Sequence, residues 1–134
     1  MSALTRSIGA VLAGFATTFL LSVATDALLH GVGVYPQSGV RMSDGLFALA
    51  TGYRIAATVA GGWVTARLAP EGRGVRLAII LGAIGTLAAL GGVGIALSHP
   101  ELGPLWYALA LVVTAVPCTW AGARLRERRA PALA

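Results

Sequence analysis

Four long apolar runs account for most of this 134-residue chain, and they limit its fold more than any other feature. They extend over residues 8–29, 46–68, 77–97 and 105–125. An α-helix needs about 20 residues to cross the hydrocarbon core of a bilayer. The runs show no alternation with a period of two, which excludes a transmembrane barrel. The sequence therefore predicts an all-α integral membrane bundle of four transmembrane helices, forming a single domain over residues 1–134.

The overall composition agrees with this prediction and disfavours a soluble domain. Apolar residues make up 57% of the chain and charged residues only 11%, against about 25% charged residues in soluble proteins. The first run also invites comparison with a cleaved signal peptide. It is longer than a signal core, and Asp26 lies where the cleavage site would be, so we expect it to remain as a helix.

The basic residues predict the orientation of the bundle. All ten are Arg, and most of them lie outside the same ends of the four runs. By the positive-inside rule, both termini and the loop between the second and third runs are cytoplasmic, and 126–134 is a basic cytoplasmic tail. We expect the lipid bilayer, and not nucleic acid, to be the partner of this charge. The arginines concerned are Arg6, Arg67, Arg73, Arg76, Arg124, Arg126, Arg128 and Arg129.

The ends of the second and fourth runs are similar. In each, a Trp is followed four residues later by Arg and then Leu, at Trp63, Arg67 and Leu68 and again at Trp120, Arg124 and Leu125. One interpretation is a parallel repeat of two-helix units about an axis along the membrane normal. The other is that Trp and Arg recur as ordinary anchors at the inner boundary.

Away from the ends of the runs, only Asp26 and Arg54 are charged. They fall in neighbouring runs at similar expected depth, and charges within a membrane rarely stay unpaired, so we predict an ion pair. Ser22 and His30 continue a polar stripe along the first helix, and Thr58 lies one turn from Arg54 on the second. The pair fixes helix register in one hypothesis, and lines a polar site with these three residues in the other.

No catalytic signature is present in the sequence. It has no glycine-rich phosphate loop after a strand, and its one cysteine, Cys118, cannot form an internal disulfide. His30 and His99 stand at corresponding helix ends, but an interfacial position does not suit two haem ligands. We therefore expect neither an enzyme nor a bound cofactor or metal.

The second to fourth runs contain two sets of motifs: Gly52-Tyr53-Arg54, Gly61-Gly62-Trp63 and 66–70 in one set, and 102–107, 110–113, Pro117-Cys118 and Trp120 in the other. These motifs resemble those of a group of small uncharacterised bacterial four-helix inner-membrane proteins. The resemblance covers the second to fourth runs and implies a multi-pass protein of the bacterial cytoplasmic membrane. The chain is also similar in plan to small multidrug transporters, although its first run lacks their central glutamate.

The residues and the resemblance lead to two functional hypotheses. The first is an assembly or accessory protein, a helical bundle that packs as a homo-oligomer or within a larger membrane complex. Rows of small residues at four-residue spacing favour it, because they let helices approach closely. The second is a small transporter or ligand-binding bundle that uses the polar site at Asp26 and Arg54.

Overall fold

The structure is a computed structural model that describes residues 2–36 and 43–129. It contains four α-helices in chain order, which confirms the predicted all-helical class. A short 3₁₀ turn, Pro100–Leu102, joins the last two. The helices are α1 (Ala3–Gly31), α2 (Asp44–Leu68), α3 (Gly74–Ser98) and α4 (Leu105–Arg129).

Helices α1 and α3 extend beyond both ends of their apolar runs, and α4 extends past the end of its run. Helix α2 differs least from its run. Helix α4 continues to Arg129, so the segment predicted as a tail begins inside this helix. Arg, Leu and Glu are good helix formers, and Arg124 Nη1 donates to Glu127 Oε2 at 3.2 Å across one turn. Residues 130–134 of the predicted tail lie outside the described residues. The N-terminal extension of α1 begins at a Ser2 cap, whose hydroxyl accepts from the Thr5 amide.

Three helices, α1, α3 and α4, are long and apolar enough to cross a membrane. This is the profile of an integral membrane protein. Helix α2 does not meet the same criterion among the described residues. Its centre carries Arg54 between Thr51 and Thr58, which lowers its hydropathy although its 25 residues have sufficient length.

Glycines set the packing order of the helices. Helix α2 lies between α1 and α4, and α4 in turn packs on α3. A Cβ atom built on Gly61 would lie 2.8 Å from the carbonyl oxygen of Gly14 in α1. One built on Gly62 would lie 2.6 Å from the Cα atom of Thr119 in α4, and one on Gly122 2.7 Å from the amide nitrogen of Trp63. Only glycine permits backbones to approach this closely, so α2 is held from both sides.

The outer helices α1 and α3 meet at one end of the bundle only. There Ala10 of α1, Leu77 of α3 and Ala69 form a buried apolar cluster. The Thr65 hydroxyl, which is fully buried, donates to the Ala10 carbonyl at 2.9 Å and ties α2 to the same end. Helices α1 and α3 make far fewer contacts than α1 and α2 or α3 and α4, and toward the other end of the bundle residues of both helices border an open cleft.

Candidate functional site

Asp26 and Arg54 meet between α1 and α2 in the half of the bundle that is open. The Nη2 atom of Arg54 donates to Oδ2 of Asp26 at 2.6 Å, and the two side chains are 31% and 30% exposed respectively. Both helices place these residues on the faces they turn toward each other, as their polar stripes indicate. A half-buried, charge-assisted hydrogen bond therefore joins α1 and α2 beyond the close contact between Gly14 and Gly61.

Two tyrosines extend this pair into a network. The hydroxyl of Tyr53, the neighbour of Arg54, donates to the other carboxylate oxygen of Asp26. Tyr35, in the loop after α1, lies with its hydroxyl 2.9 Å from that of Tyr53, and its side chain is 5% exposed. Burial, reinforced by the negative charge of Asp26 and opposed by Arg54, raises the pKa of Tyr35. The phenol stays protonated near neutral pH, which keeps it available as a donor in the network.

An interhelical cleft of about 630 Å³ lies next to the ion pair. Its walls come from all four helices, and Arg54 is the charged residue among them. Apolar side chains and glycines form most of the surface, while hydroxyl groups of Ser, Thr and Tyr supply the remaining polar atoms. The lining residues include Phe15 and Phe19 of α1, Gly92 and Ala96 of α3, and Tyr107, Leu111 and Thr119 of α4.

The cleft opens to the side of the bundle, between α1 and α3. Phe15 and Phe19 border it on α1 with their rings stacked at 6.4 Å, and they are 44% and 56% exposed. Ile95 borders it on α3 and is 54% exposed. These apolar side chains belong to helices long and apolar enough to cross a membrane, so this side of the cleft suits an apolar surrounding.

The five residues of the predicted polar site divide into two groups. Ser22, Arg54 and Thr58 line the cleft, whereas Asp26 and His30 do not. Ser22 is buried, and the Thr58 hydroxyl donates to the backbone carbonyl of Arg54 at 2.7 Å. His30 is turned away: its Nδ1 donates to the backbone carbonyl of Asp26 at 2.8 Å. Asp26 therefore bonds to Arg54 without lining the cleft itself, and Arg54 is the charged residue of the pair that lines the cleft.

Sequence reasoning did not assign any of the three tyrosines to this site. The structure brings all three tyrosines of the chain to this site, since Tyr107 lines the cleft and its hydroxyl approaches Arg54. Tyr53 directly precedes Arg54, and adjacent residues of a helix point about 100° apart, so helical periodicity gave no reason to place both near Asp26. The signal available in the sequence was composition. Tyrosine is scarce in this chain, and each of its tyrosines lies in or next to a helix that borders the ion pair or the cleft.

The polar groups of the site are hydrogen-bonding groups on a mostly apolar surface. Within residues 2–36 and 43–129, no three His, Cys, Asp or Glu side chains are placed to hold a metal ion. The other histidine, His99, pairs with Glu101 at 3.2 Å on the surface, with both side chains more than 60% exposed. The cleft is apolar, with hydrogen-bond donors at one side. Such a surface suits a molecule that is apolar and carries one polar group.

Comparison with known proteins adds no relative to this description. No protein-family model, curated protein or solved structure matches the chain.

Proposed function

We propose that the chain is a multi-pass protein of the bacterial inner membrane that binds a lipophilic ligand in the cleft between α1 and α3. The observation that carries this proposal is the guanidinium of Arg54 in the wall of an otherwise apolar cleft. Its volume of about 630 Å³ falls within the range of small-molecule sites. An ionisable group kept inside a membrane bundle marks function more often than packing does.

The proposal includes α2 as the fourth transmembrane span and a cytoplasmic location for both termini. Matching cation–π contacts support the orientation: Arg67 lies 5.5 Å from the Trp63 ring and Arg124 5.4 Å from the Trp120 ring. Both pairs stand at helix ends on the side where the arginines concentrate. The bacterial assignment rests on the resemblance of the second to fourth helices to the bacterial group.

A parallel two-helix repeat belongs to the same proposal. When Trp63 is aligned with Trp120, Gly62 is equivalent to Thr119, and these two residues contact each other across the α2–α4 interface. Self-equivalent positions meet where a two-fold axis passes. Asp26 and Arg54 have no charged counterparts in the second pair, so the polar site belongs to the first pair alone.

Binding fits the architecture better than transport does. The cleft is open to the side but is bounded at one end by the cluster of Ala10, Ala69 and Leu77. A transporter would need a route that opens to each aqueous side in turn. We therefore expect the bundle to hold a ligand that dissolves in the membrane.

Two neighbouring glycines of α3 provide a matched test. Gly92 lines the cleft and Gly91 does not, yet a Cβ atom on either would meet nothing within 4 Å. Purified protein in nanodiscs is labelled with a diazirine-bearing alkane, and labelled peptides of α4 around Leu111 are quantified. Gly92→Leu is expected to fill the cleft and abolish this labelling, while Gly91→Leu leaves it intact. Equal labelling of both variants would reject the cleft as a binding site.

A second candidate function is the assembly role, favoured by the outer half of α3. Gly91 and Gly94 face open space, and small exposed residues of a membrane helix allow a neighbouring helix to approach. Under this hypothesis Gly91→Leu changes the oligomeric state in native mass spectrometry, and the labelling of the cleft stays as in the wild type. The two candidate functions therefore respond to different substitutions.

A further inference from the structure

The donors of Arg54 are only partly used within the protein. A guanidinium carries five N–H groups, and one nitrogen, Nη2, bonds to Asp26. The Nε atom is buried and, within the described residues, has no hydrogen-bond partner. Because Nε is out of reach of solvent, a ligand oxygen would bond to the terminal nitrogens of the side chain, which is 31% exposed and lines the cleft.

The charge at the site is already balanced. Asp26 stands in direct contact with Arg54, and Tyr53 and Tyr35 add neutral hydroxyl groups around the carboxylate. An anionic head group would gain from Arg54 but would be repelled by Asp26, and a cation would meet the reverse. The group best suited to this environment is uncharged and accepts hydrogen bonds.

The dimensions of the cleft match one lipid chain. Its α3 wall runs from Leu81 to Ala96, about 22 Å at 1.5 Å per residue. One leaflet of the hydrocarbon core is about 15 Å thick. Arg54 lies ten residues from the start of α2, and helical side chains lean toward the helix N-terminus, which places the guanidinium in the outer part of the cleft. A chain whose polar end is at Arg54 then extends inward toward Thr119.

We infer that the ligand is an uncharged ester lipid of the outer leaflet, with one acyl chain in the cleft and its carbonyl oxygen bound by Arg54. The inference rests on the proposed function and names the ligand class of that site. The lipid enters sideways past Phe15 and Phe19, because the opening between α1 and α3 faces the bilayer. On that route the acyl chain does not pass through water, because it moves directly from the apolar bilayer into the apolar cleft.

The test compares three probes that share an eighteen-carbon chain length and differ in the polar end. Monoolein is an uncharged ester, oleate is a carboxylate when studied at alkaline pH, and octadecene has no polar group. Each is titrated into the full-length protein in detergent, and bound mass is read by native mass spectrometry. We expect monoolein to bind about tenfold more tightly than octadecene or oleate, the size of one hydrogen bond to a charged group.

A variant that keeps the ion pair separates recognition from folding. Arg54→Lys retains a positive charge for Asp26 but offers fewer donors in a different geometry. In this variant monoolein is expected to lose its advantage over octadecene, while octadecene binds as in the wild type. Persistence of the advantage in Arg54→Lys would overturn the assignment of the carbonyl to Arg54. So would tighter binding of oleate than of monoolein by the wild type.

The same titrations distinguish failure of this inference from failure of the proposed function. Equal binding of the three probes that is abolished by Gly92→Leu would leave the cleft as a lipophilic site and reject the ester class. Binding that is unchanged in Gly92→Leu would reject the cleft itself, and the proposed function with it. Gly91→Leu serves as the control for both, because it adds the same side chain on the neighbouring position outside the cleft wall.

Discussion

Replacing Gly62 with alanine tests whether direct backbone contact between α2 and α4 holds the bundle together. A Cβ atom at this position would lie 2.6 Å from the Cα atom and 2.8 Å from the carbonyl carbon of Thr119, with the carbonyl oxygen closer still. Ordinary van der Waals contact begins at 3.4 Å. All three neighbours are backbone atoms, so no side-chain rotation can relieve the overlap and the helices must separate.

The expected cost follows from the kind of atom that must move. Overpacking of a close-packed interior costs about 1–3 kcal/mol, and a contact with rigid backbone belongs at the upper end of that range. Helix separation also weakens the neighbouring approach of Gly122 to Val59 and Trp63. We expect Gly62→Ala to destabilise the bundle by about 3 kcal/mol, which is roughly a 100-fold change in the opening equilibrium.

The chain contains a natural reporter for this opening. Cys118 is the single cysteine, it is buried, and it precedes Thr119 in α4. When closing is fast, the rate at which a maleimide labels a buried thiol follows the population of the open form. Labelling of Cys118 in nanodiscs is therefore expected to be roughly 100-fold faster in Gly62→Ala than in the wild type.

Gly52→Ala is the matched control in the same helix. A Cβ atom on Gly52 would meet nothing within 4 Å, so alanine there adds no overlap. Alanine is the better helix former by about 0.5–1 kcal/mol, so the control is expected to label no faster than the wild type. If Gly62→Ala and Gly52→Ala label Cys118 at the same rate, the close α2–α4 contact does not stabilise the bundle and the reasoning is refuted.

Three further predictions concern the polar network and the other glycine contact. Asp26→Leu and Arg54→Leu are each expected to destabilise the bundle by about 2 kcal/mol, and the double variant by about 1 kcal/mol less than their total; strict additivity in the thiol assay would argue against the ion pair. Because the folded state raises the pKa of Tyr35, it retains that proton more strongly than the unfolded chain, so the contribution of Tyr35 to stability is constant below about pH 10 and falls above it. Tyr35→Phe is expected to reduce that fall in an alkaline series of detergent-unfolding midpoints, and an unchanged fall would assign it to other groups. Gly14→Ala, whose Cβ would lie 2.7 Å from a carbonyl oxygen of α2, is expected to label faster than Gly9→Ala, which meets nothing within 4 Å; equal rates would contradict the close α1–α2 contact.

The helices and the partners Asp26 and Arg54 were accessible from the sequence because both follow from short-range rules. Apolar runs of bilayer length give the helices. The ion pair followed from the cost of leaving a charge alone in an apolar medium and from depth counted at 1.5 Å per residue. Neither inference required knowledge of how the four helices are arranged.

The cleft and the packing order required that knowledge. Small residues recur in several helices, and the sequence alone does not say that Gly61 and Gly62 face different partners while Gly91 and Gly94 face none. The scarcity of contacts between α1 and α3 beyond Gly14 and Leu81 is a property of the whole arrangement. The cleft exists because of that scarcity, so no motif marks it. The same reason explains why His30 was grouped with the cleft residues although it lies outside.

The structural and functional roles of the ion pair support each other in this architecture. Helices α1 and α2 touch at backbone distance near Gly14 and Gly61, and beyond that point toward the loop after α1 they are joined by longer side chains. The side chains of Arg54 and Asp26 meet end to end, so the two backbones are further apart there than at the contact between Gly14 and Gly61. Arg54, held at this distance by Asp26, forms part of the wall of the cleft. A register-fixing bridge is therefore what a binding site of this kind requires, because a preorganised donor loses less freedom when the ligand arrives.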